Sequence, residues 1–200
     1  MTNNTSHSLE NLEKLLTLLH EVQRVKRVAR RPDEQEMTNT AEHTFELAMM
    51  CWYIASTNKL DLNLEKILKY ALAHDVIEAY AGDTYLFDEE ARKTKVAREA
   101  AALERLEKEF PEFPDFLSTI HEYEQRNTPE SKFVYATDKL IDPLDASMEK
   151  IQSIWKDKNV SWDTMIASKK DKIALSDTIS IYWKKLVAKL ESKKDFFFNN

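Results

Sequence analysis

Residues 71–83, with the sequence ALAHDVIEAYAGD, combine an apolar helical pattern with groups that are costly to bury. On a helix, His74, Asp75 and Glu78 lie on neighbouring parts of one surface. Burial of a carboxylate or an imidazole is strongly unfavourable unless a partner replaces the lost water. Two carboxylates beside an imidazole also repel each other unless a cation lies between them. The stretch therefore predicts a buried metal site.

Gly82 is the only glycine in the 200 residues, where average usage would give roughly fourteen. It follows the apolar pattern at the place where the helix should end. A left-handed backbone residue is commonly needed at that position, and glycine adopts it without strain. The glycine therefore predicts a specified turn that presents Asp83.

The composition favours a helical protein, because one glycine and five prolines accompany many Leu, Ala, Glu and Lys residues. A chain of 200 residues can form one domain with a sizeable core. The net charge of −6 argues against nucleic-acid binding through a general positive field. The lone Cys51 permits no internal disulfide and fits a reducing compartment.

The first residues, MTNNTSHSLE, have no basic segment followed by an apolar one, as a secretion signal would. The longest apolar run, residues 47–55, is too short to cross a bilayer. We therefore expect a cytoplasmic protein with no membrane and no nucleic-acid partner.

Apolar residues recur at helical spacing along most of the chain and predict an all-α bundle of about six to eight helices. Pro143 should kink or split the sixth helix, and the period of the seventh weakens around Ser176. The expected helices span residues 8–30, 40–57, 63–81, 90–109, 114–126, 129–156 and 161–193.

Two further residues complete a candidate ligand set. His43 lies on the apolar face of the second helix, where a lone histidine is more often a core residue, and Asp138 lies on an apolar face of the sixth. With His74 and Asp75 they supply two imidazoles and two carboxylates. This mixed set suits one divalent transition metal, Mn, Co, Fe, Ni or Zn, better than Ca or Mg. Four protein ligands leave room for water and substrate.

The order of these residues resembles the H…HD…D pattern of the HD-domain metal-dependent phosphohydrolases. The sequence around these residues more closely resembles the HD_3-like branch, which includes bacterial 5′-deoxynucleotidase and its eukaryotic relatives. The matching segments are TAEHTFELAMM at 40–50, ALAHDVIEAYAGD at 71–83 and ESKFVYATDKL at 130–140. The resemblance covers roughly residues 10–150. It implies an HD core over 1–150, with 151–200 as a helical extension packed on the same domain.

Members of that branch release phosphate from deoxyribonucleoside 5′-monophosphates. The resemblance implies that Glu78 handles the attacking water and that Asp83 lies near the leaving sugar oxygen. It also implies that Arg27, in the segment KRVAR at 26–30, grips the phosphate. Val28 stands where the bacterial enzymes have a tryptophan that crowds out a ribose 2′-hydroxyl, so the preference for deoxyribose and the phosphorylation level stay open.

Two alternatives remain open at this stage. One is an HD hydrolase of nucleoside triphosphates or of an alarmone. The other is a non-catalytic helical module that binds a nucleotide or a metal, although the presence of Glu78 and Asp83 speaks against it. A two-metal phosphodiesterase would need further histidines, and only His121 is available between His74 and Asp138.

The oligomeric state is also open. Relatives in this branch are often homodimers, and the aromatic residues of the C-terminal region offer apolar surface for a second copy. Aromatic residues on a long helix are nevertheless more often part of the core. The residues concerned are Trp155, Trp162, Trp183 and Phe196–Phe198.

Overall fold

The computed structural model describes residues 8–150 and 154–197. Most of these residues are helical, and the expectation of an all-α bundle is confirmed. The helices are α1 Leu9–Arg24, α2 Thr40–Thr57, α3 Leu64–Ala73, α4 Glu78–Ala81, α5 Glu89–Glu109, α6 Pro114–Gln125, α7 Pro129–Met148, α8 Ile154–Asp157, α9 Trp162–Ile173 and α10 Asp177–Glu191. Strands β1 Lys26–Arg30 and β2 Met37–Asn39 form an antiparallel hairpin.

Helix α2 begins where its capping residues predict. The Asn39 side chain accepts a hydrogen bond from the backbone of Glu42, and the Glu42 carboxylate accepts one from the backbone of Asn39. This start places His43 on the same buried face as Leu47 and Cys51.

The prediction of one helix over residues 8–30 was wrong in its last turns. Helix α1 has its last buried residue at Val22 and ends at Arg24. Val25 would continue the apolar spacing from Val22, but its backbone is extended. The next residues form β1, with Arg30 opposite Met37 of β2. Arg27 therefore lies on a strand.

The prediction of one continuous helix over residues 63–81 was also wrong. Helix α3 ends at Ala73, and α4 begins only at Glu78. The His74 ring donates from Nδ1 to the carbonyl of Ala71 at 2.8 Å. A continuing α-helix would offer that carbonyl to the N–H of Asp75. The polar residues at the centre of the stretch thus lie on a turn.

The last part of the chain differs from its expected helices in detail. Helix α7 continues through Pro143 and ends at Met148, so the proline does not split it. The segment expected as one long helix is divided into α9 and α10. Ser176 caps α10 by accepting from the backbone of Ile179, which confirms the break expected there.

The buried apolar side chains form two clusters. The larger contains residues of α2, α3, α7, α9 and α10, and α9 and α10 pack directly on α7. Trp155 and Phe197 belong to it, with stacked rings 5.1 Å apart. Phe198 and the side chain of Phe196 lie outside what the structure describes. Among the described residues, none of the helices has both the length and the apolar character to span a membrane.

Candidate metal centre and adjoining cavity

His43 and Asp138 meet across the packed helices α2 and α7. Both side chains are buried, and His43 Nε2 lies 3.0 Å from Asp138 Oδ1. The second Asp138 oxygen, Oδ2, lies 2.6 Å from Lys139 Nζ. The lysine and His43, together with His74, hold the pKa of Asp138 well below its usual range, although burial opposes the shift.

His74 and Asp75 lie on the turn after α3, beside the first pair. The ligand atoms of His43, His74 and Asp75 all lie within 4.8 Å of one another. Burial raises the pKa of Asp75, but the charges of His74 and Arg27 outweigh it and hold that pKa well below its usual range. The structure thus brings together three of the four residues expected to hold an ion, and Asp138 adjoins them through its contact with His43.

The donor atoms fit a divalent cation. Because His74 Nδ1 donates to a carbonyl, Nε2 of the neutral ring presents a lone pair. That buried Nε2 has no hydrogen-bond partner among the described residues, yet Asp75 Oδ2 lies 2.9 Å away. A lone pair and a carboxylate this close repel each other, so in the metal-free protein a proton on His74 offsets the charge of Asp75, and a divalent cation would take its place on binding. Two imidazoles and two carboxylates suit Mn, Fe, Co, Ni or Zn.

Glu78 lies at the start of α4 and is 7 % exposed. Its Oε2 accepts a hydrogen bond from Thr40 Oγ1 at 3.0 Å. Burial, together with the charges of Asp75 and Asp83, raises the pKa of Glu78 to about 8. The side chain is therefore oriented from α2 and has a high affinity for a proton.

Asp83 follows Gly82, whose φ of +74° and ψ of 152° suit glycine alone. The Asp83 carboxylate accepts a hydrogen bond from the backbone N–H of Val28, and burial raises its pKa. Arg98 of α5 braces the same turn, donating to the Ala81 carbonyl and to Thr84 Oγ1, the latter at 2.7 Å. The β-hairpin and α5 together fix the position of Asp83.

Arg27 extends from β1 toward the same carboxylates. Its Nη1 lies 3.2 Å from Asp75 Oδ2, and its Nη2 lies 3.9 Å from Asp142 Oδ1. Within residues 8–150 and 154–197, the buried Nε of this arginine has no hydrogen-bond partner. The guanidinium therefore retains donor capacity beside the candidate metal centre.

A cavity of about 380 Å³ adjoins these groups, within the range of small-molecule sites. It is lined by most of the residues that the sequence singled out. These are Arg27, Val28, His74, Asp75, Glu78, Asp83 and Asp138. His121 is instead exposed and lies 2.9 Å from Glu107, away from this cavity.

The sequence did not predict several residues that contact the candidate site. Thr40, Arg98 and Asp142 act through contacts with residues far away in the chain, and no local pattern marks them. Lys139 follows Asp138 directly, and its place beside a candidate ligand was the one available signal. Lys169, from α9, contacts Asp142 at 3.1 Å and had no signal.

A family model and curated relatives match this chain. Residues 19–179 match HD_3, described as an HD domain. The protein named 5′-deoxynucleotidase HDDC2 is 30% identical over 103 residues in Xenopus laevis, covering 50% of each chain. The Bos taurus protein of that name is 30% identical over 115 residues, 56% of this chain and 55% of the relative. The chain spans about half the length of these relatives.

Solved structures share the fold. A predicted metal-dependent phosphohydrolase from Magnetospirillum magnetotacticum MS-1 superposes with a TM-score of 0.77 at 23% identity, covering 94% of this chain and 96% of that one. The PH0347 protein from Pyrococcus horikoshii OT3 gives 0.63 at 24% identity, covering 89% and 97%. An HD-domain phosphohydrolase from Listeria innocua gives 0.59 at 16% identity, covering 92% and 89%.

Proposed function

The chain belongs to the HD_3 family of HD domains, and on this basis we propose that it is a metal-dependent phosphohydrolase of nucleoside 5′-monophosphates. The observation that carries the proposal is that Glu78, Asp83 and Arg27 line one cavity with His74, Asp75 and Asp138. A purely structural metal site would need none of the first three. The name 5′-deoxynucleotidase of the matching relatives agrees with this substrate class.

His43, His74, Asp75 and Asp138 are the residues that would hold the ion. When bound, a divalent ion lowers the pKa of a coordinated water to about 7 and polarises a phosphoryl oxygen. Arg27 donates two parallel hydrogen bonds to phosphate oxygens, which a lysine cannot do. Arg27 thereby orients the phosphorus toward the attacking water.

Glu78 and Asp83 divide the proton transfers. Glu78, oriented by Thr40, accepts the proton of the attacking water as its oxygen bonds to phosphorus. Asp83, whose pKa burial raises, donates a proton to the 5′-oxygen as the P–O5′ bond breaks. The products are inorganic phosphate and a nucleoside, and Asp83 regains its proton from Glu78 or from solvent.

A nucleotide panel tests the proposal. Metal-depleted protein is given a divalent ion and deoxy- or ribonucleoside mono-, di- and triphosphates, and the phosphorus products are identified. We expect inorganic phosphate from 5′-monophosphates, and a loss of about 10²–10⁴-fold in kcat for Glu78→Gln, as for other general bases. Triphosphate or pyrophosphate as the main product would contradict it in favour of an NTP or alarmone hydrolase. Binding without turnover would instead indicate a non-catalytic module.

We also propose that two copies of the chain associate through α1 and α2. Leucines on α1 are exposed at the heptad-like spacing of a helix-pairing seam, and α2, which packs on α1, exposes a second apolar face. The leucines are Leu9, Leu12, Leu16 and Leu19, and the α2 residues are Phe45, Met49, Trp52 and Tyr53.

The exposed area supports a second copy as the occupant. These eight side chains are 43% to 69% exposed, which corresponds to an area on the order of 1,000 Å². A stable interface buries about 800 Å² per partner, an area that the two exposed faces together can supply. The C-terminal aromatics are not the interface in this proposal, because Trp155, Trp183 and Phe197 are buried.

A further inference from the structure

Four cationic side chains line one part of the cavity. Lys169 and Lys172 lie three residues apart on α9, Lys139 lies on α7, and Arg92 lies in the first turn of α5. Both lysines of α9 come from the region after residue 150, to which sequence reasoning assigned no chemical role. These four side chains, three lysines and one arginine, form what we call the lysine cluster.

The charges of the lysine cluster are only half compensated. Lys139 pairs with Asp138 at 2.6 Å, and Lys169 pairs with Asp142 at 3.1 Å. Neither Lys172 nor Arg92 makes an ion pair with any described residue. The Arg92 guanidinium makes one long hydrogen bond of 3.4 Å to the Leu86 carbonyl. Two cations in the cavity thus have no anionic partner.

The cations are close enough to repel one another. Burial, together with the neighbouring charges of Lys139, Lys169 and Arg92, lowers the pKa of Lys172 to about 8. Like charges held together around a cavity are stabilised when an anion enters it. A phosphate group suits such a site, because an ammonium is a compact donor of three hydrogen bonds.

The lysine cluster is connected to the candidate metal centre by two carboxylates. Lys139 shares Asp138 with His43. Asp142 has one oxygen 3.1 Å from Lys169 and the other 3.9 Å from Arg27. The residues expected to bind the scissile phosphate and the lysine cluster therefore flank one continuous space.

We propose that the lysine cluster is a second phosphate subsite and that the preferred substrate is a nucleotide with a second phosphate group besides the one released. The inference rests on the proposed phosphohydrolase function and narrows its substrate class to nucleoside 5′-monophosphates that carry a second phosphate elsewhere, as a 3′,5′-bisphosphate does. Lys172 is the main specificity residue, since it lines the cavity and no described residue forms an ion pair with it.

Matched substrates and variants test the subsite. We compare kcat/KM for a nucleoside 5′-monophosphate, its 3′,5′-bisphosphate and its 5′-diphosphate in wild type, Lys172→Gln and Lys172→Arg. The control is Lys170→Gln, a neighbouring exposed lysine of α9 outside the cavity. Wild type should favour the 3′,5′-bisphosphate over the 5′-monophosphate by about tenfold, the usual effect of one charge-assisted hydrogen bond, whereas a preference for the 5′-diphosphate would contradict the proposal. Lys172→Gln should abolish this preference through KM, whereas Lys172→Arg and Lys170→Gln should keep it.

Binding measurements distinguish a wrong assignment of the subsite from a wrong proposed function. In Glu78→Gln, calorimetric titration with each nucleotide and with inorganic phosphate measures affinity without turnover. Tighter binding of the 3′,5′-bisphosphate that Lys172→Gln abolishes supports the subsite even when no substrate is turned over. Tighter binding of free phosphate alone, equal affinities for all nucleotides, or an equal loss for every ligand in a folded Lys172→Gln protein would overturn it.

Discussion

Asp75 and Glu78 are three residues apart, yet their carboxyl pKa values shift in opposite directions. Both are buried, which favours the neutral acid. At Asp75 the charges of His74 and Arg27 outweigh burial, whereas at Glu78 the charges of Asp75 and Asp83 add to it. In the metal-free protein Asp75 is therefore ionised at neutral pH, whereas Glu78 holds a proton up to about pH 8. The difference comes from their environments and not from their residue types.

A third acidic residue gives a prediction about pH. Burial and the charges of Glu46, Asp142 and Glu149 raise the pKa of Asp145 to about 7, from 3.8. A group whose pKa is raised in the folded state stabilises the fold fully at pH values below its pKa in the unfolded chain. This stabilisation is lost as the pH rises through its pKa in the folded state. Asp145 thus destabilises the folded chain increasingly between about pH 4 and 7.

Asp145→Asn should remove this dependence, because the amide resembles the protonated acid. Urea unfolding of metal-depleted protein at pH 5 and pH 8 measures it. The variant should gain stability over wild type on going to pH 8, whereas the exposed Asp163→Asn should follow wild type at both values. A constant difference between Asp145→Asn and wild type would disprove the assigned pKa.

At the level of elements, the break between α3 and α4 makes the site. The turn over residues 74–77 places His74 and Asp75 at the end of one helix and Glu78 at the start of the next. Gly82 then ends α4 with the positive φ expected there, although its ψ of 152° differs from that of the left-handed helical conformation. Its backbone conformation lies in a region that is essentially restricted to glycine.

Gly82→Ala should therefore destabilise the chain and displace Asp83. A Cβ at this position would meet only Arg98 Nη1 at 3.9 Å, so the cost comes from the backbone, about 1–3 kcal/mol. Denaturant unfolding should report this loss, together with a reduced kcat on the best nucleotide. Ser192→Ala, at a helix end of ordinary φ, should stay within about 0.5 kcal/mol. Equal stabilities of Gly82→Ala and wild type would contradict the role given to this glycine.

The sequence predicts an element correctly where neighbouring residues determine it, and fails where contacts with distant residues determine it. The start of α2 follows from a capping box within four residues, and the end of α4 follows from one glycine. The break after Ala73 depends on a bond between the His74 ring and a backbone carbonyl, which hydrophobic periodicity does not reveal. The strand that carries Arg27 depends on pairing with β2, across the loop that follows it. Lys169 reaches Asp142 through packing of α9 on α7.

At the scale of the whole molecule, the candidate site lies where the two apolar clusters meet. Ala71 belongs to the larger cluster, whereas Ala73, Val76 and Ile77 belong to the smaller. The turn with His74 and Asp75 therefore connects both packing units. His43 and Asp138 reach it from helices of the larger cluster, so the site depends on both clusters being formed.

The apolar surface of α1 and α2 predicts a dimer. Light scattering after size exclusion should give twice the mass of one chain at micromolar concentration. Leu16→Glu places a charge on the leucine seam and should give the single-chain mass, while Thr17→Glu, exposed on another side of α1, should remain dimeric. A wild-type protein that has the mass of one chain at every concentration would contradict the dimer.

Metal dependence tests the central claim most directly. Metal-depleted protein is titrated with Mn, Co, Fe, Ni or Zn, and bound ion and phosphate release from a nucleotide are measured in the same samples. We predict that release appears as about one ion binds per chain. We also predict that His74→Ala and Asp75→Asn lose both signals, while the exposed His121→Ala keeps both. Phosphate release by metal-free protein, or by a folded Asp75→Asn variant that binds no ion, would contradict the claim.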